Sequence, residues 1–425
     1  MRRGVSVCVV GAGSSYTPEL IDGILGQTRD ALPVAQLRLT DINPDRLGIM
    51  AGFAQRAIAH SGREIAVDSD TDLGRMLKGA DFVIAQIRVG GMKARHLDES
   101  IPLKYGLLGQ ETTGPGGMCN ALRTIPTMVE IARKVEEISP DAFVLNYTNP
   151  SGIVTEAVTK YTQARIIGLC AGIPGVQDSL KRRFASRYPD FKTYAVGLNH
   201  FGYVYRMVSG DREVTAEVID LLDQEEKGRG GSDAGMSMYR LLQAVPLSYV
   251  GYFLHRSAAV ARRKADATTR AQEVEVIESR ILEEAARPET VSKPEALKER
   301  GGGGYADITF SVMKAIINDT GEELTANVPN RGTVLGIDDD AVVEVVCEVN
   351  RHGARALPVG PIPLAFRGLV QALKAYETLT VEAAMHRDRR LATLALMNHP
   401  LVGDLDIIGP LLSEMLEANG LVFIP

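Results

Sequence analysis

The chain has 425 residues, 45% hydrophobic and 24% charged, the make-up of a folded water-soluble protein with room for two or three domains. Its net charge of −6 speaks against a nucleic-acid partner, which needs a basic face. Four cysteines without close spacing argue against a disulfide framework and for a reducing cytoplasm, and no run reaches the roughly 18–20 apolar residues of a membrane span.

In chain order, "MRRGVSVCVVGAG" has the basic start and apolar run of an export signal, but the run is short and Glu19 follows soon. It reads as a buried strand with a glycine turn. "TPELIDGIL" has helical spacing with Pro18 early, where helices accept it. "QLRLTDIN" predicts a second strand ending at Asp41, "GREIAVDSD" a third, "LGRMLKGA" a short helix and "DFVIAQIRVGG" a fourth strand. A helix over "TIPTMVEIARKVEEISP", a strand "AFVLNYTNP", a helix "GIVTEAVTKYT" and a strand "RIIGLCAG" follow. Such alternation predicts an α/β fold: a Rossmann-like, doubly wound parallel sheet covered on both faces.

The alternation fades near residue 195. We expect a dinucleotide-binding domain over 1–195 and a mixed α+β, largely helical catalytic domain over 196–425. The latter would hold a helical tract from about 255 to 285, a helical C-terminus, and loops at 225–235 and 298–307.

Gly11 and Gly13 stand between the first strand and the first helix. There a Rossmann fold brings backbone N–H groups and a helix N-terminus against a pyrophosphate, and Ser14 and Ser15 belong to the same turn. The third fingerprint position holds Tyr16, not glycine. Asp41 sits where a carboxylate accepts hydrogen bonds from an adenosine ribose. Strand, glycines, helix, strand and acid together point to NAD.

Cys170 follows an apolar strand and His200 lies in "GLNHFG". A thiolate and an imidazole suit a divalent transition metal with open positions for substrate oxygens. A buried packing cysteine and a core histidine are the alternative.

The segments "VGAGSSYTPEL", "IPLKYGLLGQETTGPGG", "LNYTNPSG", "IGLCAG", "VGLNHFG" and "PLSYVGYF" occur in this order. Together they resemble the NAD- and divalent-metal-dependent glycosidases of glycoside hydrolase family 4, above all its 6-phospho-β-glucosidase branch, from end to end. The resemblance implies hydrolysis of 6-phospho-β-glucosides by oxidation at C3, removal of the C2 proton, elimination of the aglycone, addition of water and return of the hydride. That family is an exception to the two-carboxylate rule for glycosidases. It also implies NAD and Mn2+ (or another divalent metal), with Cys170 and His200 as ligands and Tyr249 as the base, Tyr252 being a nearby rival. Arg95, Asn149 and Arg270 match substrate-binding positions, and Glu111 falls in an active-site loop with no role that its chemistry defines. A dimeric or tetrameric assembly follows from the same likeness.

This chain departs from the relatives at Ala171, where they carry Asn or Asp, at Gly251, where they carry a basic residue, and at "NVPNRG" (327–332). These departures bear on the substrate, leaving open the same chemistry on an unphosphorylated or modified glycoside. A simple NAD-dependent dehydrogenase and a non-catalytic sensor are the readings from other classes.

Overall fold

The computed structural model describes residues 4–228, 237–301 and 303–424. Of the expected loop at 225–235, residues 225–228 close the helix Thr215–Gly228 and the remainder lies outside the described residues. The second expected loop is shorter than 298–307, because a helical turn, Leu297–Arg300, opens it and the helix Tyr305–Asn318 ends it.

Six parallel strands form the first half of the sheet: β1 (Val5–Val10), β2 (Val34–Thr40), β3 (Ala66–Ser69), β4 (Phe82–Ala85), β5 (Phe143–Asn146) and β6 (Arg165–Gly168). Their spatial order, β3-β2-β1-β4-β5-β6, is that of a doubly wound dinucleotide fold. β1, β4 and β5 are buried along nearly their whole length because helices cover both faces, which explains their unbroken apolar runs. The helix Pro44–Ser61 starts cleanly because the Asn43 side chain accepts from Asp45 N and Arg46 N, and it ends at Gly62 in the left-handed region.

Two expectations are corrected here. The strand drawn over 81–91 stops at Ala85, since Gly90 and Gly91 both take positive φ and start the helix Gly91–Lys104. The helix expected from 124 runs from Gly114 to Ile138, its glycine-rich first turn fully buried.

Beyond β6 the sheet continues antiparallel. The strand Glu322–Pro329 joins β6 through Asn327 and Gly168, and then pairs along its length with Val342–Asn350. Next come β7 (Phe191–Leu198), β8 (Phe201–Ser209) and the short Val245–Pro246. Residue 195 lies inside β7. The helical tract near 255–285 is two helices, Arg256–Ala265 and Arg270–Ala286, parted where Thr269 caps the second one. Three helices from Leu364 to Ala418 supply the expected helical C-terminus. No described helix is long and apolar enough to cross a membrane.

Candidate active site

Residues that follow the carboxyl ends of β1, β2, β4, β5 and β6 converge on one edge of the sheet, where open α/β folds bind ligands. They are Gly11, Asp41, Arg88, Asn149 and Cys170. A cavity of about 850 Å³ opens there, lined by Gly11, Gly13, Ser14, Asp41 and Asn149, together with Tyr16, Arg46, Arg88 and Arg300.

The glycine turn is built for close approach. Gly11 has φ +85°, and a Cβ there would stand 2.8 Å from Gln86 O. Asp41 Oδ2 accepts from Gly13 N at 2.8 Å and Oδ1 from Asn43 N at 2.9 Å, so the acid ties the turn to β2. A left-handed conformation costs a residue with a Cβ about 1–2 kcal/mol before any clash. Gly11→Ala is therefore expected to lower the urea midpoint of unfolding by at least that equivalent; an unchanged midpoint would contradict the geometry. Ser15 points the other way: fully buried, it donates to Glu278 Oε1 at 3.0 Å and does not line the cavity.

Cys170 sits between β6 and the helix Gly172–Phe184, with Gly172 N donating to its Sγ at 3.3 Å. Burial, reinforced by Glu344, pushes its thiol up to about 12. His200 occupies the tight β7–β8 turn in the left-handed region, φ +63°. Its Nδ1 is buried without a hydrogen-bond partner, and burial lowers its pKa to about 4, so the ring is neutral. A neutral imidazole with a free nitrogen is the form that binds a metal.

The Tyr249 ring stacks on His200, with centroids 4.6 Å apart and planes 9° from parallel, and Tyr252 meets Tyr249 edge-on at 5.6 Å. Burial raises the Tyr249 phenol, Glu111 and Cys170 raise it further, and Arg95 pulls it down. Cys170, His200 and Tyr249 are thus one neighbourhood. Among the described residues, no three His, Cys, Asp or Glu side chains cluster as a metal cage.

Glu111 is the electrostatic hub. Burial would raise it, but Arg88 and Arg95, helped by Arg300, outweigh burial and hold it near about 2. Arg95 is only 6% exposed and is gripped by Glu99 at 2.8 Å and Glu111 at 3.1 Å, so it reaches a sugar phosphate only by giving up a carboxylate. Arg270 pairs with Glu273 and donates to Arg300 O at 3.0 Å; like Arg95, it does not line the cavity. Sequence reasoning missed Arg88, Glu278 and Arg300. Arg88 could have been found as an arginine just past a strand's carboxyl end, whereas Glu278 and Arg300 come to the cleft from the second half of the chain.

Cys119 belongs to a separate buried cluster in which Arg123 grips Asp98 at 2.6 and 2.9 Å. Of the departures, "NVPNRG" is structural at Asn330, whose amide holds Val334 O and Ile337 O across a turn. Ala171 stands at the N-cap of the helix after Cys170, and a Cβ at Gly251 would meet nothing within 4 Å.

A 3-2-1-4-5-6 parallel sheet with a glycine turn and a tethered acid at its cleft defines a dinucleotide-binding α/β protein. The comparisons sharpen this: the "Family 4 glycosyl hydrolase" model matches residues 6–185 and the family's "C-terminal domain" model residues 195–402. The chain belongs to glycosyl hydrolase family 4. It is 35% identical to the probable 6-phospho-β-glucosidase of Bacillus subtilis, over 99% of this chain and 97% of the relative. The 6-phospho-β-glucosidase of Thermotoga maritima, solved with manganese, NAD+ and glucose 6-phosphate, superposes with a TM-score of 0.90 at 32% identity, covering 99% of this chain and all of that one. A phospho-α-glucosidase of Clostridium acetobutylicum is 30% identical over 97% of both chains.

Proposed function

We propose that the protein hydrolyses 6-phospho-β-glucosides, with NAD and a divalent metal such as Mn2+ as cofactors. The observation that carries the reading is the stacking of Tyr249 on a buried His200 whose Nδ1 lacks a partner, with Cys170 near enough to act on the Tyr249 phenol. The cavity's size and its glycine cradle fit a dinucleotide, and the orphaned His200 Nδ1 beside a thiol fits a transition metal. When bound, the dinucleotide supplies reversible hydride uptake at the sugar's C3, and the metal supplies Lewis acidity to the oxygens at C2 and C3.

The chain's own part is positional and protonic. Gly11, Gly13, Ser14 and Asp41 hold the dinucleotide, with Ser15 bracing the turn from behind. Cys170 and His200 hold the metal. Asn149, on the cavity wall, orients the sugar hydroxyls, and Arg95 and Arg270, which do not line the cavity, support the substrate end from behind it. Tyr249 removes the C2 proton once C3 is a ketone; burial, Glu111 and Cys170 raise its phenol and Arg95 acts against them, so the phenol must gain a further positive charge to serve as the base. The aglycone leaves from C1, water adds, and the cofactor ends as it began. We assign residues 1–195 to the cofactor and 196–425 to the catalytic half. We place the protein in the cytoplasm as a homo-oligomer: the four thiols are free and buried, and assembly is inferred from the family likeness.

p-Nitrophenyl β-glucoside and its 6-phosphate, each assayed with and without NAD+ and Mn2+, test the reading. Nitrophenol is expected from the phosphorylated substrate only, with both additives required and no NADH accumulating. Release from the plain glucoside would move the substrate to an unphosphorylated sugar. Accumulating NADH without nitrophenol would make the protein a dehydrogenase.

A further inference from the structure

We propose that Arg300 is a phosphate-binding residue of the cleft, and that Arg270 acts by holding it in place. The inference rests on the phosphoglucoside reading above and names the group that reads its phosphate chemistry.

Arg300 lines the cavity although it comes from the second half of the chain. It is only 8% exposed, and its Nε has no hydrogen-bond partner. Its ion pair is a loose one, Nη2 to Glu278 Oε1 at 3.5 Å, at the outer limit of a hydrogen bond. Glu278 is shared with Arg46, at 3.4 Å, so one carboxylate faces two guanidiniums. Glu111, the next acid to feel Arg300, is already committed to Arg88 and Arg95. A buried cation with a spare N–H is costly unless an acceptor arrives. A phosphate oxyanion suits it, since the planar fork of arginine matches two of its oxygens.

The side chain is held in register for that role. Its guanidinium carbon lies 4.8 Å from the centroid of the Tyr16 ring, at the glycine turn. Tyr16 Oη donates to Gly301 O, and Gly304 N donates to Glu19 Oε1 at 3.0 Å, so the backbone after Arg300 is tied to the first half of the chain. Arg270 Nη2 donates to Arg300 O at 3.0 Å and to Glu299 O at 3.4 Å. Arg270 therefore positions Arg300. Two phosphates could reach it: the pyrophosphate of the dinucleotide or the phosphate monoester of the sugar.

The test is binding to the intact protein. NADH is titrated by fluorescence, and the NAD-saturated protein is titrated calorimetrically with glucose 6-phosphate and with glucose, for wild type, Arg300→Gln and Arg300→Lys. Losing a charge-assisted contact predicts about ten- to a hundredfold weaker binding of one phosphate-bearing probe to Arg300→Gln, with Arg300→Lys in between. A loss confined to NADH assigns the pyrophosphate; a loss confined to glucose 6-phosphate, with glucose unchanged, assigns the sugar phosphate. Unchanged binding of both probes to Arg300→Gln overturns the proposal. If that variant does not fold, Arg300→Lys carries the test by the same criteria. Wild type binding neither probe would instead overturn the phosphoglucoside reading. Arg270→Ala should weaken the same probe, yet add nothing in an Arg300→Gln background. An additive loss would make Arg270 a direct contact and overturn its positioning role.

Discussion

Replacing Cys170 by alanine is expected to lower kcat/KM toward a phosphoglucoside by about a thousandfold or more, since Lewis-acid stabilisation is worth several kcal/mol. NADH binding should survive, because Cys170 does not line the cavity that holds Gly11, Gly13 and Asp41. Mn2+ binding, followed by electron paramagnetic resonance, should weaken in parallel with activity. The substitution itself is mild for the fold: Cys170 receives one backbone N–H, from Gly172, at 3.3 Å. Parental activity in this variant would remove Cys170 from the metal assignment and return it to the packing role that buried cysteines usually have.

Tyr249→Phe is expected to cut kcat by about a hundred- to ten-thousandfold, the usual worth of a positioned base. The ring stack on His200 survives in phenylalanine, so metal affinity should hold while exchange of the sugar's C2 proton with solvent deuterium slows. Tyr252→Phe is the comparison, because Tyr252 also reaches this corner, edge-on to Tyr249. Exchange at the parental rate in Tyr249→Phe, together with slowed exchange in Tyr252→Phe, would move the base to Tyr252.

The first half of the fold was legible because it is local. β1, β4 and β5 announce themselves as apolar runs, and β1, Gly11, Gly13 and Asp41 follow one another in the order a dinucleotide cleft needs. The boundaries blurred where glycines act through positive φ, as at Gly90 and Gly91, which sequence alone reads as a strand's end or a loop. The strands Glu322–Pro329 and Val342–Asn350 were missed. They pair with each other along their length, but the strands that join them to the rest of the sheet, β6 for the one and β7 for the other, are distant in the chain. In the candidate site, Cys170 and His200 stood out by residue chemistry alone, with a packing role as the alternative, whereas Tyr249 was singled out only through the family likeness, since two ligands and a tyrosine make no spacing motif. The charge network was not legible at all. Ser15 and Glu278 are 263 residues apart, and a serine next to a glycine turn reads as a cofactor contact until its buried acceptor is seen.

The way the two halves share one sheet also sets what can be done with them. Glu156, on a helix of the first half, is fully buried and accepts from Lys374 Nζ and Thr378 Oγ1 at 2.7 Å and from Val342 N at 2.9 Å, all from the second half. A fragment ending near residue 185 would strip that carboxylate of every one of those donors and bare the edge of β6 at Gly168, where the strand Glu322–Pro329 now docks. The same cut would expose to water the apolar surface that the helix Ser151–Tyr161 and β6 bury against the second half, and that burial would be lost from the fold's stability. The first half of the chain is thus not an exchangeable module. Grafting it onto another catalytic partner would require transplanting the Glu156 socket and the seam strand along with it.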